Sequence, residues 1–249
     1  MIKIGITENS DPIYDKSWER WALEKREPTI LITKNFTELI KQYPLLLSQN
    51  NIIVHATITG YGSSFLEPNV PNPQSIVDML RCNIYKERVV IRIDPIVPLP
   101  QFVKQSKQIF DYCKAMGYQR FRVSILDLYP HVVKRLEPYC TFLYELKQVY
   151  NWDLAHSGGE HQPYMVYAPL HIRQSIIDQF PDVEVCAEPG IKCSGCISRK
   201  DLELFGIVPE KRYIKNDQRE FCQCLGIKKE LLRSHNCQSK CLYCYWLNN

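Results

Sequence analysis

Residues 51–59 read N-I-I-V-H-A-T-I-T and break at G-Y-G, residues 60–62. The run is short, β-branched and apolar at consecutive positions, the signature of a strand buried on both faces. Such a strand needs cover above and below, which parallel sheets obtain from the helices of successive βα units. Outward in both directions the pattern repeats. I-K-I-G-I-T (2–7) and T-I-L-I-T (29–33) precede it; R-V-V-I-R-I (88–93), R-F-R-V-S-I-L (120–126) and V-E-V-C-A (183–187) follow. Helices are expected over 17–25, 38–48, 75–85, 101–116, 132–150 (with a break at Pro138) and 169–180, with Gly117 stopping the fourth. Residues 152–163 lack periodicity and read as a loop. A strand about every thirty residues, with a seventh near 225–227, predicts an α/β chain folded as an open or partial parallel (β/α) barrel. Residues 1–190 would form its core and residues 191–249 a cysteine-rich segment completing the same domain.

Composition narrows the class. In 249 residues, 45% apolar side chains suffice for a packed core. No run of about eighteen apolar residues suggests a membrane span. The first residues lack the basic and apolar regions of a secretory signal, so a cytoplasmic protein with reduced thiols is expected. A formal net charge of +4 is too small to indicate a dedicated nucleic-acid binder, although such a partner stays open. Lys211, Arg212, Tyr213, Lys215 and Arg219 offer a modest basic face.

Several strands end on polar residues, and in parallel barrels ligands gather at that rim. Arg92 and Asp94 in R-I-D-P are two apart and share a face; Ser124 and Asp127 would need a bend to do so. With Glu8 and Glu188, these could hold ribose hydroxyls or a carboxylate, or could simply close the rim or cap helices. His55 reads as a hydrogen-bonded core histidine. The Gly158-Gly159-Glu160 triplet, between His156 and His161, reads as a turn.

Of the eleven cysteines, eight lie between Cys186 and Cys244. Cys82, Cys113 and Cys140 read as small buried apolar side chains. Cys237, Cys241 and Cys244 form a C-x-x-x-C-x-x-C triplet with Tyr243 before the last thiol. Three thiolates on one loop can hold three irons of a [4Fe-4S] cube and leave the fourth open to another ligand. Cys186, Cys193, Cys196, Cys222 and Cys224 form a second group, for which an auxiliary iron–sulfur cluster, a zinc knot and reduced core thiols all remain open.

The terminal triplet resembles the signature of the radical S-adenosylmethionine superfamily, although most members carry it near the N-terminus. A closer resemblance covers most of the chain from residue 92 onward: R-I-D-P-I (92–96), S-I-L-D-L-Y (124–129), C-A-E (186–188), G-C-I (195–197), K-N-D-Q-R-E-F-C-Q-C (215–224) and the terminal C-Q-S-K-C-L-Y-C-Y. These are similar to a bacterial and phage family of unknown function whose cluster cysteines lie at the C-terminus. The resemblance implies a barrel related to spore photoproduct lyase-type enzymes, circularly permuted, with the strand near residue 225 delivering the cluster loop beside residues 2–7. It implies a [4Fe-4S] cluster on Cys237, Cys241 and Cys244, S-adenosylmethionine on the open iron, and a 5′-deoxyadenosyl radical that takes hydrogen from an unknown substrate. Arg92, Asp94, Ser124 and Glu188 are then the expected grips on S-adenosylmethionine or substrate, and a flavodoxin- or ferredoxin-like reductant the expected partner. The family pattern uses Cys186, Cys196, Cys222 and Cys224 for the auxiliary group and leaves Cys193 aside. From another class, a non-catalytic zinc- or iron–sulfur-stabilised binding module, with nucleic acid as one target, is the alternative.

Overall fold

The computed structural model describes residues 3–156, 164–208, 223–233 and 237–247. Seven strands, β1 (Lys3–Ile6), β2 (Thr29–Thr33), β3 (Ile52–Thr57), β4 (Val89–Ile96), β5 (Phe121–Ile125), β6 (Glu184–Val185) and β7 (Ile227–Glu230), form one sheet. Its order is β6-β5-β4-β3-β2-β1-β7 and every pairing is parallel. The sheet curls into a half-barrel, the partial parallel barrel expected from the strand spacing. β7 lies at the edge beside β1, Lys3 opposite Ile227 and Ile6 opposite Glu230, so the first strand and the last are neighbours.

The helices are α1 (Phe36–Gln42), α2 (Pro73–Cys82), α3 (Pro100–Ala115), α4 (Pro130–Leu136), α5 (Cys140–Tyr150), α6 (Trp152–Ala155), α7 (Leu170–Ile177) and α8 (Arg199–Leu204). On the outer face, Leu31, Val54, Ala56, Val89, Ile91, Ile93 and Val123 pack against Phe36, Leu39, Ile76, Leu80, Val103, Phe110 and Val132 of the helices. Each such aliphatic side chain contributes about 1.5–3 kcal/mol by leaving water, which is why these strands read as continuous apolar runs. The opposite, inner face carries a smaller apolar floor: Ile4, Ile6, Ile30, Ile53 and Val90 under Cys196, Ile197, Leu202 and Cys224. Beside this floor the face turns polar, and the register sets Thr57, Arg92, Arg122 and Glu184 side by side across β3 to β6.

Local departures have physical causes. β4 does not stop at Asp94-Pro95 but continues to Ile96, its register with β5 shifting between Ile93 and Ile96. The backbone amide of Leu126 donates to the Ile96 carbonyl, so the strand resumes pairing past the proline. The helix expected over 17–25 is only a wide turn, Arg20–Glu24, and the one expected over 38–48 ends at Gln42. Trp152–Ala155 makes one helical turn where a loop was expected. Cys113 is buried as expected, but Cys82 and Cys140 are exposed, at the C-terminal end of α2 and the start of α5. No helix among the described residues is long and apolar enough to cross a membrane.

Candidate metal centres

The second cysteine group is built into the inner face. The backbone amide of Cys186 donates to the Val123 carbonyl, which places it beyond β6. From there the chain turns back. The Ser194 amide donates to Val185, Gly195 adopts φ 75°, and the Leu225 amide donates to the Ile197 carbonyl. A Cβ at Gly195 would lie 2.5 Å from the Cys224 backbone nitrogen, so only glycine admits the close approach of these two segments. The approach brings the thiols together: Cys186 Sγ is 3.1 Å from Cys196 Sγ, and the Cys196 amide donates to Cys224 Sγ at 3.0 Å. Hydrogen bonding from Cys186 and Cys224 holds the Cys196 thiol well below its ordinary pKa, and the same contact holds Cys186 well above. The charges of Arg92 and Lys228 lower the Cys196 pKa further. Cys193 stands apart; its sulfur accepts from the Glu188 amide and donates to the Glu188 carbonyl. Cys222 lies outside the described residues.

A buried network forms the wall behind this group. Arg122 donates to the Cys196 carbonyl at 2.7 Å and pairs with Glu184 and Asp201, and Arg120 pairs with the same two carboxylates at 3.2 and 2.7 Å. Asp201 is itself fixed in a reciprocal cap with Ser198 at the start of α8. His55 lies 3.8 Å from Asp201; burial lowers its pKa to about 4 and it stays neutral. The core reading of His55 is the one the geometry supports.

The terminal loop is tied down by side chains from distant segments. Lys34, just past β2, donates to Glu67 at 2.7 Å and to the Tyr243 hydroxyl at 2.9 Å, and that hydroxyl donates to Glu67. Thr59 donates to the other Glu67 oxygen at 2.8 Å. Arg135 of α4 caps the carbonyls of Leu242, Cys244 and Leu247, the Leu242 amide donates to Leu66, and Asn69 donates to Gln238. Burial is the main force raising the pKa of Cys241 and of Cys244, and the Cys237 charge pushes both further up. Burial opposes the charge of Lys34, but Glu67 and the Cys241 and Cys244 thiols outweigh it and raise its pKa.

Of the four other expected site residues, three meet. Asp94 accepts from Arg92 on one oxygen and from Ser124 on the other, which joins β4 to β5 at the rim. Glu188 does not join them. Its oxygens accept from the Ile125 amide at 2.6 Å and from Arg173 at 3.1 Å, and burial raises its pKa to about 7. Glu8 pairs with Lys228 and its amide donates to Glu230. Sequence reasoning passed over Lys34, Glu67, Arg135, Lys228 and the Arg120–Arg122–Glu184–Asp201 network. R-F-R-V-S carried a signal, since period two sets Arg120, Arg122 and Ser124 on one face. The Gly-Gly-Glu triplet, His161 and the basic residues from Lys211 to Arg219 lie outside the described residues.

Both groups offer thiol donors only, a soft set suited to iron–sulfur clusters and zinc. Among the described residues no three His, Cys, Asp or Glu side chains converge on one point as a single ion requires. One protein family matches the chain, over residues 1–246, under the description "Domain of unknown function (DUF1848)". The chain belongs to this family. No curated protein and no solved structure matches it. The match covers both cysteine groups and the whole half-barrel, so they are parts of one family unit.

Proposed function

We propose that the protein is a radical S-adenosylmethionine enzyme whose catalytic [4Fe-4S] cluster is held by Cys237, Cys241 and Cys244. The observation that carries the reading is the docking of this three-thiol loop at the C-terminal rim of a parallel half-barrel, where α/β barrels gather their catalytic groups. When bound and reduced, the cluster supplies one electron that splits the sulfonium of S-adenosylmethionine into methionine and a 5′-deoxyadenosyl radical, which abstracts hydrogen from the substrate. A flavodoxin- or ferredoxin-like protein would restore that electron. Lys34 and Arg135 place positive charge beside the loop and fix its backbone. Tyr243 acts as a latch through Glu67. Asp94, held by Arg92 and Ser124, retains lone-pair capacity for ribose hydroxyls. Glu188, with both oxygens engaged, braces β5 against α7. Cys186, Cys196 and Cys224 would hold a second thiol-ligated group, iron–sulfur or zinc, with Cys222 as the fourth ligand the resemblance implies.

The test is anaerobic reconstitution with iron and sulfide, followed by S-adenosylmethionine and dithionite. Formation of 5′-deoxyadenosine and a changed electron paramagnetic resonance signal on adding S-adenosylmethionine are expected. Iron-replete protein that gives neither would overturn the enzyme reading and favour a metal-stabilised binding module.

A further inference from the structure

Arg92 is 8% exposed, yet among the described residues its Nη2 alone has a hydrogen-bond partner, Asp94, while Nε and Nη1 are buried without one. Buried guanidinium donors are normally satisfied, and two left open on one side chain call for an acceptor. The surroundings indicate where it would come from. In register, Arg92 lies beside Arg122 on β5 and Thr57 on β3. One rung nearer the rim, Asp94 and Ser124 are joined by their hydrogen bond, and both are only partly buried. Cys186, next along, is likewise partly buried. Arg92 thus stands just below an open polar edge, not in the sealed floor. Its neighbours do not use it up: Arg122 takes Glu184 and Asp201, and Lys228 takes Glu8.

Arg92 also belongs to a different electrostatic neighbourhood from the terminal loop. Its charge acts on Cys186 and Cys196, whereas the charged side chains that act most strongly on Cys241 are Lys34 and Glu67, and Arg135 acts on Cys244.

We propose that Arg92 is the receptor for an anionic oxygen group, a carboxylate or phosphate, of the substrate, bound on the inner face beside Asp94, Ser124 and the second cysteine group. The inference rests on the reading of the protein as an S-adenosylmethionine enzyme only in calling this molecule the substrate. The subsite is tested without turnover.

Inorganic phosphate and pyruvate serve as probes, titrated calorimetrically into the reconstituted protein, with S-adenosylmethionine in a separate arm. Wild-type protein should bind at least one probe. Arg92→Gln should weaken it tenfold or more, and Arg92→Lys, which keeps the charge but loses the planar fork, about threefold. The S-adenosylmethionine affinity, which Arg92 reaches only through Asp94, should fall by a smaller factor than the probe affinity in both variants. Circular dichroism checks folding, and the lysine variant carries the test if the glutamine variant does not fold. Failure of both probes to bind overturns the subsite. Loss of S-adenosylmethionine affinity with probe binding unchanged overturns its assignment to substrate and gives Arg92 to the cofactor. Absence of 5′-deoxyadenosine in the earlier experiment, with probe binding intact, would instead overturn the enzyme reading and leave the anion subsite standing.

Discussion

Cys196 sets its carbonyl on the Arg122 guanidinium, inside a wall of paired charges from Arg120, Arg122, Glu184 and Asp201 with neutral His55 of β3 beside it. Cys241 lies at the rim on a loop that joins no strand and is held by Lys34, Glu67 and Arg135 through side chains and carbonyls. The second group is part of the sheet's own stabilisation; the terminal group is fastened to a sheet already complete. Their charge environments differ in the same sense. Hydrogen bonds from neighbouring thiols draw the Cys196 pKa down, whereas burial pushes that of Cys241 up against the opposing charge of Lys34. A metal binding at the terminal loop must supply the positive charge that draws off its protons. The group read as catalytic is therefore the one that can be removed without dismantling the fold.

The largest test of that contrast is a pair of variants. Cys241→Ala should abolish 5′-deoxyadenosine formation and lose the terminal iron while leaving the metal of the second group, as measured by metal and sulfide analysis. Cys196→Ala should lose the second metal and lower the thermal midpoint as well. Iron falling to zero in Cys241→Ala would break the two-site assignment. Next, Arg122→Met should destabilise the protein by about 3–5 kcal/mol in denaturant titration, because Glu184 and Asp201 keep only Arg120 between them.

A pH effect follows from the same wall. His55 is held neutral down to about pH 4, below its ordinary 6.5, so the unfolded chain binds this proton first as pH falls. Its contribution is present above pH 6.5 and is lost as pH drops toward 4, about 2 kcal/mol between pH 7 and 5. Glu188, with its pKa raised, contributes in the opposite sense over the same range in both proteins, so the check is the difference: the thermal midpoint of wild type should drop relative to that of His55→Asn between pH 7 and 5. The smallest effect belongs to the rim. Tyr243→Phe removes the hydroxyl shared by Lys34 and Glu67 and should cost about 1–2 kcal/mol locally. Hydrogen exchange should quicken over residues 237–247 while the global midpoint barely moves. An equal loss of protection across β3 would show that the loop and the sheet unfold together.

The half-barrel was legible because its strands announce themselves locally. N-I-I-V-H-A-T needs no distant residue to read as a buried strand, and the loop after it marks where the rim lies. Pro95 misled, since a proline commonly ends a strand, yet here the chain shifts register and pairs again at Ile96. The terminal triplet was legible as chemistry because three ligands fall within eight residues. What holds it was not. Glu67 and Tyr243 are 176 residues apart and Arg135 and Cys244 are 109 apart, and nothing local in either segment names the other. Glu188 illustrates the converse: a carboxylate at a strand end looked like a ligand, and burial with Arg173 turned it into a brace. Spacing had placed Arg92 and Asp94 on one face, and the structure adds that two of Arg92's donors are idle.

The pairing of β1 with β7 bears on how the molecule is made. Glu8 and Glu230 meet across 222 residues, so one side of β1 stays an open sheet edge until β7 has left the ribosome. Closing so long a loop is slow, although its entropic cost grows only logarithmically with length. The helices and β2 to β5 can assemble meanwhile from near neighbours. The rim loop that follows β7 docks last, so an iron–sulfur donor would meet a barrel otherwise finished, and a stalled chain would carry folded structure but no place to load it.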